Sequence, residues 1–143
     1  MQSVAAAMQA KFGGAVAVLQ QGKFADAERV FQEILRQYPN HFDAQYGLGV
    51  VAAQTGRTDR AAELFRKAIK LDPKAANAHR SLGVALKDLK RPKDALGSFD
   101  KAIALKPDYA ECHSSRGLAL QDLRMPADAL AAFDRAIALK SYF

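Results

Sequence analysis

A 34-residue internal repeat constrains this chain more than any other feature of its sequence. Pro39, Pro73 and Pro107 lie 34 residues apart, and residues 76–109 and 110–143 are identical at 19 of 34 positions. The same interval separates one series of phenylalanines and one of alanines: Phe31, Phe65, Phe99 and Phe133, and Ala27, Ala61, Ala95 and Ala129. Self-similarity at this period is typical of stacked repeat proteins. We therefore predict one domain over residues 1–143, with repeats 1 to 4 at about 8–41, 42–75, 76–109 and 110–143 and a helical extension at 1–7.

Each repeat is predicted to form two helices. In repeat 3, Ala78, Leu82 and Leu86 recur at helical spacing and form one apolar stripe. Pro92 then suits the first turn of a second helix, and Pro107 ends it. Because a single helix pair cannot bury its apolar face alone, neighbouring pairs must stack. The predicted fold class is all-α, an α-solenoid of about four helix-turn-helix units.

Glycine recurs inside the predicted first helices, at Gly49, Gly83 and Gly117. Glycine costs about 1 kcal/mol relative to alanine in a helix, so its repetition indicates a steric need. We expect close approach of the second helix at a small residue such as Ala95, with Phe99 filling the space between repeats.

The motifs "SLGVAL" with "DALGSFDKAIALKP" in repeat 3, and "GLGVVA" with "RAAELFRKAIKLDP" in repeat 2, resemble the tetratricopeptide repeat. The unit of that family is likewise a 34-residue helix-turn-helix. The resemblance implies a right-handed superhelical stack and a non-catalytic module for protein–protein interaction, which binds a peptide or protein segment on its concave face.

The resemblance also implies which side chains contact the partner, because the first helix of each repeat lines the concave side. These residues are Phe12, Val16, Tyr46, Val50, Asn77, Arg80, Ser81, Val84, Lys87, Glu111, Ser114, Ser115, Leu118 and Gln121. The face is expected to be apolar and aromatic in the first repeats and polar in the last ones. Packing of Phe12 and Tyr46 against a neighbouring repeat is the alternative for those two side chains.

Repeats 3 and 4 are also similar to repeat arrays that precede bacterial glycosyltransferases of the O-linked N-acetylglucosamine transferase type. The chain could accordingly be the substrate-recruiting N-terminal array of a larger enzyme. Such arrays commonly carry a run of asparagines along the inner face, whereas this chain has Gly13, Gly47, Ser81 and Ser115 at those positions.

No arrangement of residues in the sequence indicates catalysis, a cofactor or a metal. His79 and His113 occupy the same slot of successive repeats, which favours packing between helices over metal binding. The single cysteine, Cys112, is expected to be a buried small apolar residue. We expect a chain that is not an enzyme and has no cofactor.

The net charge of +6 is concentrated between Lys67 and Lys106, where ten Lys and Arg outnumber four Asp. This stretch lacks the interleaved aromatic residues typical of nucleic-acid binding. We therefore favour a solvated outer face, with a basic solenoid that binds nucleic acid as the alternative. No apolar run approaches the ~20 residues that span a bilayer, and the first residues do not resemble a signal peptide. The sequence therefore predicts a cytoplasmic protein without membrane contact.

The last helix pair is expected to leave apolar surface uncovered, because no polar capping helix follows it. The residues concerned are Leu130, Phe133, Ile137, Tyr142 and Phe143. Either the array continues beyond this helix pair, or the pair associates with another copy; we expect self-association, as a homo-oligomer, through these C-terminal helices.

Overall fold

The computed structural model describes residues 3–141, which form eight α-helices. The helices are α1 (Val4–Gln20), α2 (Phe24–Gln37), α3 (Phe42–Gln54), α4 (Thr58–Leu71), α5 (Ala76–Asp88), α6 (Pro92–Leu105), α7 (Ala110–Asp122) and α8 (Pro126–Lys140). Each odd-numbered helix packs against the helix that follows it, so every repeat is a helix-turn-helix pair. The prediction of an all-α fold built from such pairs is confirmed.

The chain divides into two compact halves, Met1–Asp72 and Pro73–Phe143. In the N-terminal half, α2 packs against α3, which joins the first helix pair to the second. In the C-terminal half, α6 joins the third pair to the fourth by packing against α7. The same interface between successive repeats is therefore present once in each half. That all four repeats form a single domain stays a prediction.

The repeated glycines make room for the phenylalanine rings of their own repeats. A Cβ on Gly83 would lie 2.5 Å from Phe99 Cε1, and one on Gly49 would lie equally close to Phe65 Cε1. The phenylalanine ring, and not the alanine before it, is thus the group that needs the space. Phe99 is completely buried, so its ring holds the two helices of repeat 3 together.

Repeat 1 differs from the other repeats at the position of the recurring glycine. It has Ala15 where the other repeats have glycine, and Ala15 is buried. The ring of Phe31 lies over the next repeat, where a Cβ on Gly47 would be 2.6 Å from Phe31 Cζ. Phe31 therefore fastens α2 to α3.

The turns inside the repeats all contain one residue with positive φ. Gly22 and Gly56 have φ values of 77° and 79°, and Lys90 and Arg124 have values of 64° and 60°. Glycine adopts this conformation at little cost, whereas other residues lose about 1–2 kcal/mol. Repeats 3 and 4 thus make the same turn with a less suitable residue.

Candidate functional site

The candidate partner-binding residues of the N-terminal half lie on α1 and α3 and are all half-buried: Phe12, Val16, Tyr46 and Val50. The ring of Phe12 lies 5.9 Å from that of Phe31 and 5.6 Å from that of His41. The ring of Tyr46 lies 5.5 Å from that of Phe65. Both aromatic side chains therefore share their surface between the protein interior and the solvent. Val50 borders a cavity of about 390 Å³ with Leu19 and Phe24.

The candidate residues of the C-terminal half lie on the neighbouring helices α5 and α7. The exposed ones are Asn77, Glu111, Leu118 and Gln121, the half-buried ones are Arg80, Ser81, Val84, Lys87 and Ser114, and Ser115 is buried. Leu118 is 44% exposed. The Nζ of Lys87 is 3.9 Å from its neighbour Asp88, a contact of little energetic weight. We call these side chains of α5 and α7 the α5–α7 face.

Arg80 is the most unusual side chain of the α5–α7 face. Its guanidinium carbon lies 5.9 Å above the ring centroid of Tyr109, within the range of a cation–π contact. Its Nε is buried and has no hydrogen-bond partner among residues 3–141. A buried donor without a partner is a rare feature in native proteins and calls for a specific explanation. Sequence reasoning identified the position of Arg80 but neither this buried nitrogen nor the contribution of Tyr109.

Two of the four positions where similar arrays carry asparagine are buried here. Gly47 lies under the ring of Phe31. Ser115 is buried, and its hydroxyl donates a hydrogen bond to the Glu111 carbonyl oxygen of its own helix at 3.0 Å. A peptide backbone would find no row of amide groups at these two positions.

In repeats 3 and 4, a histidine in the first helix forms a hydrogen bond with the proline that precedes that helix. Nε2 of His79 lies 2.9 Å from the Pro73 carbonyl oxygen, and Nε2 of His113 lies 3.0 Å from that of Pro107. A carbonyl oxygen can only accept, so Nε2 donates in both cases. His79 is also buried. Its recurrence therefore has a structural explanation, which agrees with the packing role expected for this slot.

Cys112 is completely buried, and its thiol lies 3.6 Å from the Phe99 carbonyl oxygen. Burial raises the pKa of the thiol to about 11, although the positive charge of Arg80 acts in the opposite direction. A protonated, inaccessible thiol is a poor nucleophile. Between residues 3 and 141, no group of three or more His, Cys, Asp or Glu side chains is placed to hold a metal ion.

The predicted self-association residues that the structure describes lie on α8. Leu130 and Ile137 are 61% and 63% exposed, and Phe133 is half-buried. Tyr142 and Phe143 lie outside the described residues. A cavity of about 370 Å³ is lined by Leu96, Leu120 and Met125, among others. None of the helices between residues 3 and 141 is long and apolar enough to cross a membrane.

The structure is similar to those of several repeat proteins. A crystal structure of MamA has a TM-score of 0.86 at 20% sequence identity, over 94% of this chain and 79% of that one. Residues 41 to the end of MamA from Desulfovibrio magneticus RS-1 give 0.85 at 22% identity, over 94% and 76% of the two chains. At these identities the similarity concerns the fold alone.

A mutant O-GlcNAc transferase from Thermobaculum terrenum is 30% identical, with a TM-score of 0.78 over 84% of this chain. The match covers only 23% of the transferase. No curated protein matches the chain by sequence. The sequence profile of the tetratricopeptide repeat matches residues 12–76 and 56–110, which together make up well over half of the chain. The chain therefore belongs to the tetratricopeptide repeat family, whose repeats build helical modules for protein interaction.

Proposed function

We propose that the chain binds a segment of a partner protein on its first helices, and that the α5–α7 face holds an acidic group of that segment at Arg80. The module acts by binding and carries out no chemistry of its own. The observation that supports this proposal most is the buried Arg80 Nε, which has no hydrogen-bond partner among residues 3–141.

An unpaired buried donor costs about 1–3 kcal/mol, and more when it belongs to a charged group. Because this Nε is covered, a carboxylate oxygen of a bound segment would accept from it only after a small movement of the Arg80 side chain, and that contact would remove the cost. Tyr109 supports one side of the guanidinium, so less side-chain entropy is lost on binding. The binding energy would therefore be concentrated at one arginine, as is common in protein interfaces.

Leu118 supplies the apolar component of the proposed site. It is exposed on α7 near the polar Gln121. A segment that carries an acidic side chain and an apolar side chain would thus match the α5–α7 face. In the N-terminal half, considered by itself, Val50 and its cavity of about 390 Å³ offer a further apolar contact.

The test begins with peptides selected from a random display library on the 143-residue chain. The selected peptide is then titrated by calorimetry into the wild-type chain and into the variants R80A and L118A. Loss of a charged hydrogen bond at Arg80 should weaken binding about tenfold or more. R66A serves as a control of matched charge, because Arg66 is an exposed residue of α4.

Two outcomes would contradict the proposal. In the first, R80A and R66A bind the selected peptide equally well. In the second, the peptides that are selected contain no acidic residue. Either result would mean that the buried nitrogen of Arg80 plays no part in recognition.

A second candidate is that the chain recruits substrates as the repeat array of a larger glycosyltransferase. The similarity to the Thermobaculum terrenum O-GlcNAc transferase at 30% identity favours it. The positions of Gly47 and Ser115 speak against recognition by an asparagine row of the type found in such arrays. The coding sequence beyond codon 143 tests this candidate. A glycosyltransferase domain encoded there would support it, and the absence of one would rule it out.

A further inference from the structure

The outer face of α8 repeats a surface that is covered elsewhere in the chain. Leu130, Phe133 and Ile137 correspond, one repeat later, to Leu96, Phe99 and Ile103 of α6. In α6 the phenylalanine is completely buried and the two aliphatic side chains are half-buried, because α7 packs against this helix. In α8 the two aliphatic side chains are more than 60% exposed. Among residues 3–141, no helix follows that could cover them.

The outer face of α1 is the counterpart of the surfaces that cover α2 and α6. Ala10, Gly13 and Ala17 correspond to Ala44, Gly47 and Val51 of α3, which are buried under α2. The three α1 residues are exposed. Apart from its own helix backbone and chain neighbours, no described atom lies within 4 Å of the position that a Cβ on Gly13 would occupy.

We propose that the α8 face of one copy packs on the α1 face of a second copy, and so continues the interface that joins successive repeats. The register follows from the N-terminal half, where Phe31 of α2 lies over Gly47 of α3. Phe31 corresponds to Phe133, and Gly47 corresponds to Gly13. The half-buried ring of Phe133 already lies beside Gly117 of its own repeat, so this register places Gly13 of the next copy against the part of the ring that is still exposed.

The chemistry of the two faces suits this contact. The α8 face is aliphatic and aromatic, and the α1 face consists of alanine and glycine, which allow a ring to approach the helix closely. Lys11 is the only charged residue in α1, and its Nζ already pairs with Glu33 of α2 at 2.9 Å. On the α1 side, the contact therefore leaves no charged group without a partner.

A contact between two different faces is heterologous, so two copies joined by one contact leave a free face at each end, and growth continues until the assembly closes into a ring. The mass of the wild-type chain, measured by light scattering, should therefore rise with concentration beyond that of a dimer. The variants G13E and I137E should each stay near the monomer mass of 15.5 kDa. Both substitutions are at exposed positions, and replacing Gly13 also removes a residue that disfavours helix.

Mixing the two variants gives the sharpest result. G13E keeps its α8 face and I137E keeps its α1 face, so an equimolar mixture should form a dimer and stop there. G97E is the matched control, because Gly97 is an exposed helical glycine of α6 with open space around it. It should associate like the wild-type chain. R80A should also associate normally, because this contact is independent of the proposed peptide site.

Three results would overturn the proposal. A wild-type chain that stays monomeric at all concentrations would show that no second copy covers the faces. Association of G13E but not of I137E would indicate that two α8 helices pair with each other. An equimolar mixture of G13E and I137E that remains monomeric would exclude the head-to-tail register. Circular dichroism of each variant checks that it is folded. A17E is a second substitution that should prevent contact with the α1 face.

Discussion

Replacing Gly83 by alanine has two opposing effects on the stability of the chain. Alanine favours helix over glycine by about 1 kcal/mol, so the substitution would stabilise an isolated α5. In the folded chain the new Cβ would lie 2.5 Å from Phe99 Cε1, and two further ring atoms would lie within 2.9 Å. The structure therefore predicts that steric overlap outweighs the gain in helix propensity.

The size of the steric overlap determines how much stability the chain loses. An ordinary contact begins at 3.4 Å, so the ring would have to move by about 0.9 Å. Phe99 is completely buried, which leaves it little room to move. Overpacking of a dense core costs about 1–3 kcal/mol, and a ring without free space belongs near the upper limit. After the gain in helix propensity is subtracted, we expect the free energy of unfolding to fall by about 2 kcal/mol, which lowers the Tm by about 4–8 °C.

Thermal unfolding followed by circular dichroism measures this loss, with G97A as the control. Gly97 is a helical glycine with open space around it, so its replacement by alanine should raise the Tm by a few degrees. G117A should fall between the two variants, because Phe133 is only half-buried and can shift. A Tm of G83A at or above the wild-type value would refute the reasoning.

Three further predictions concern other parts of the chain. K90G should stabilise it by about 1 kcal/mol in urea unfolding, because Lys90 has a φ of 64°; a destabilised variant would contradict this. Cys112, whose pKa is raised to about 11 by burial, should resist a thiol reagent at pH 8 until the chain is unfolded; rapid labelling of the folded chain would disprove it. The hydrogen bond and charge of Lys11 lower the pKa of Glu33 below 4.5. Their contribution to stability is therefore present above pH 4.5 and lost as the pH falls through the folded pKa. In an NMR titration, K11M should raise the pKa of Glu33, and an unchanged pKa would exclude the pairing.

Much of the fold could be predicted from the sequence, because the determinants of the helices are local. The apolar period, the prolines that begin or end helices, and Gly22 and Gly56 in the first two turns all lie close to the structure they specify. Lys90 and Arg124 adopt the same turn conformation without a glycine. Their positive φ follows from the repeat register and not from their own preference.

The packing partners of individual residues were harder to predict. The regular recurrence of Gly83 indicated that space was needed, but the sequence could not tell whether Ala95 or Phe99 needs it. Both lie in the same second helix, and the choice depends on how the two helices are rotated.

The candidate site could likewise be predicted only as a set of positions, without the packing of its side chains. The resemblance supplied the positions of the α5–α7 face, since these follow from repeat register. Whether Arg80 points its Nε into a buried space depends on side-chain packing around Tyr109 and Cys112, which are adjacent to it only after folding. That feature could be found only in three dimensions.

The central claim is that a partner segment binds to the α5–α7 face. Amide chemical-shift mapping of the 15N-labelled chain with a selected peptide tests it most directly. The claim predicts that the largest shifts lie in α5 and α7, around Arg80 and Leu118, and that they disappear in R80A. Shifts concentrated instead around the cavity lined by Leu96, Leu120 and Met125, and unchanged in R80A, would contradict it.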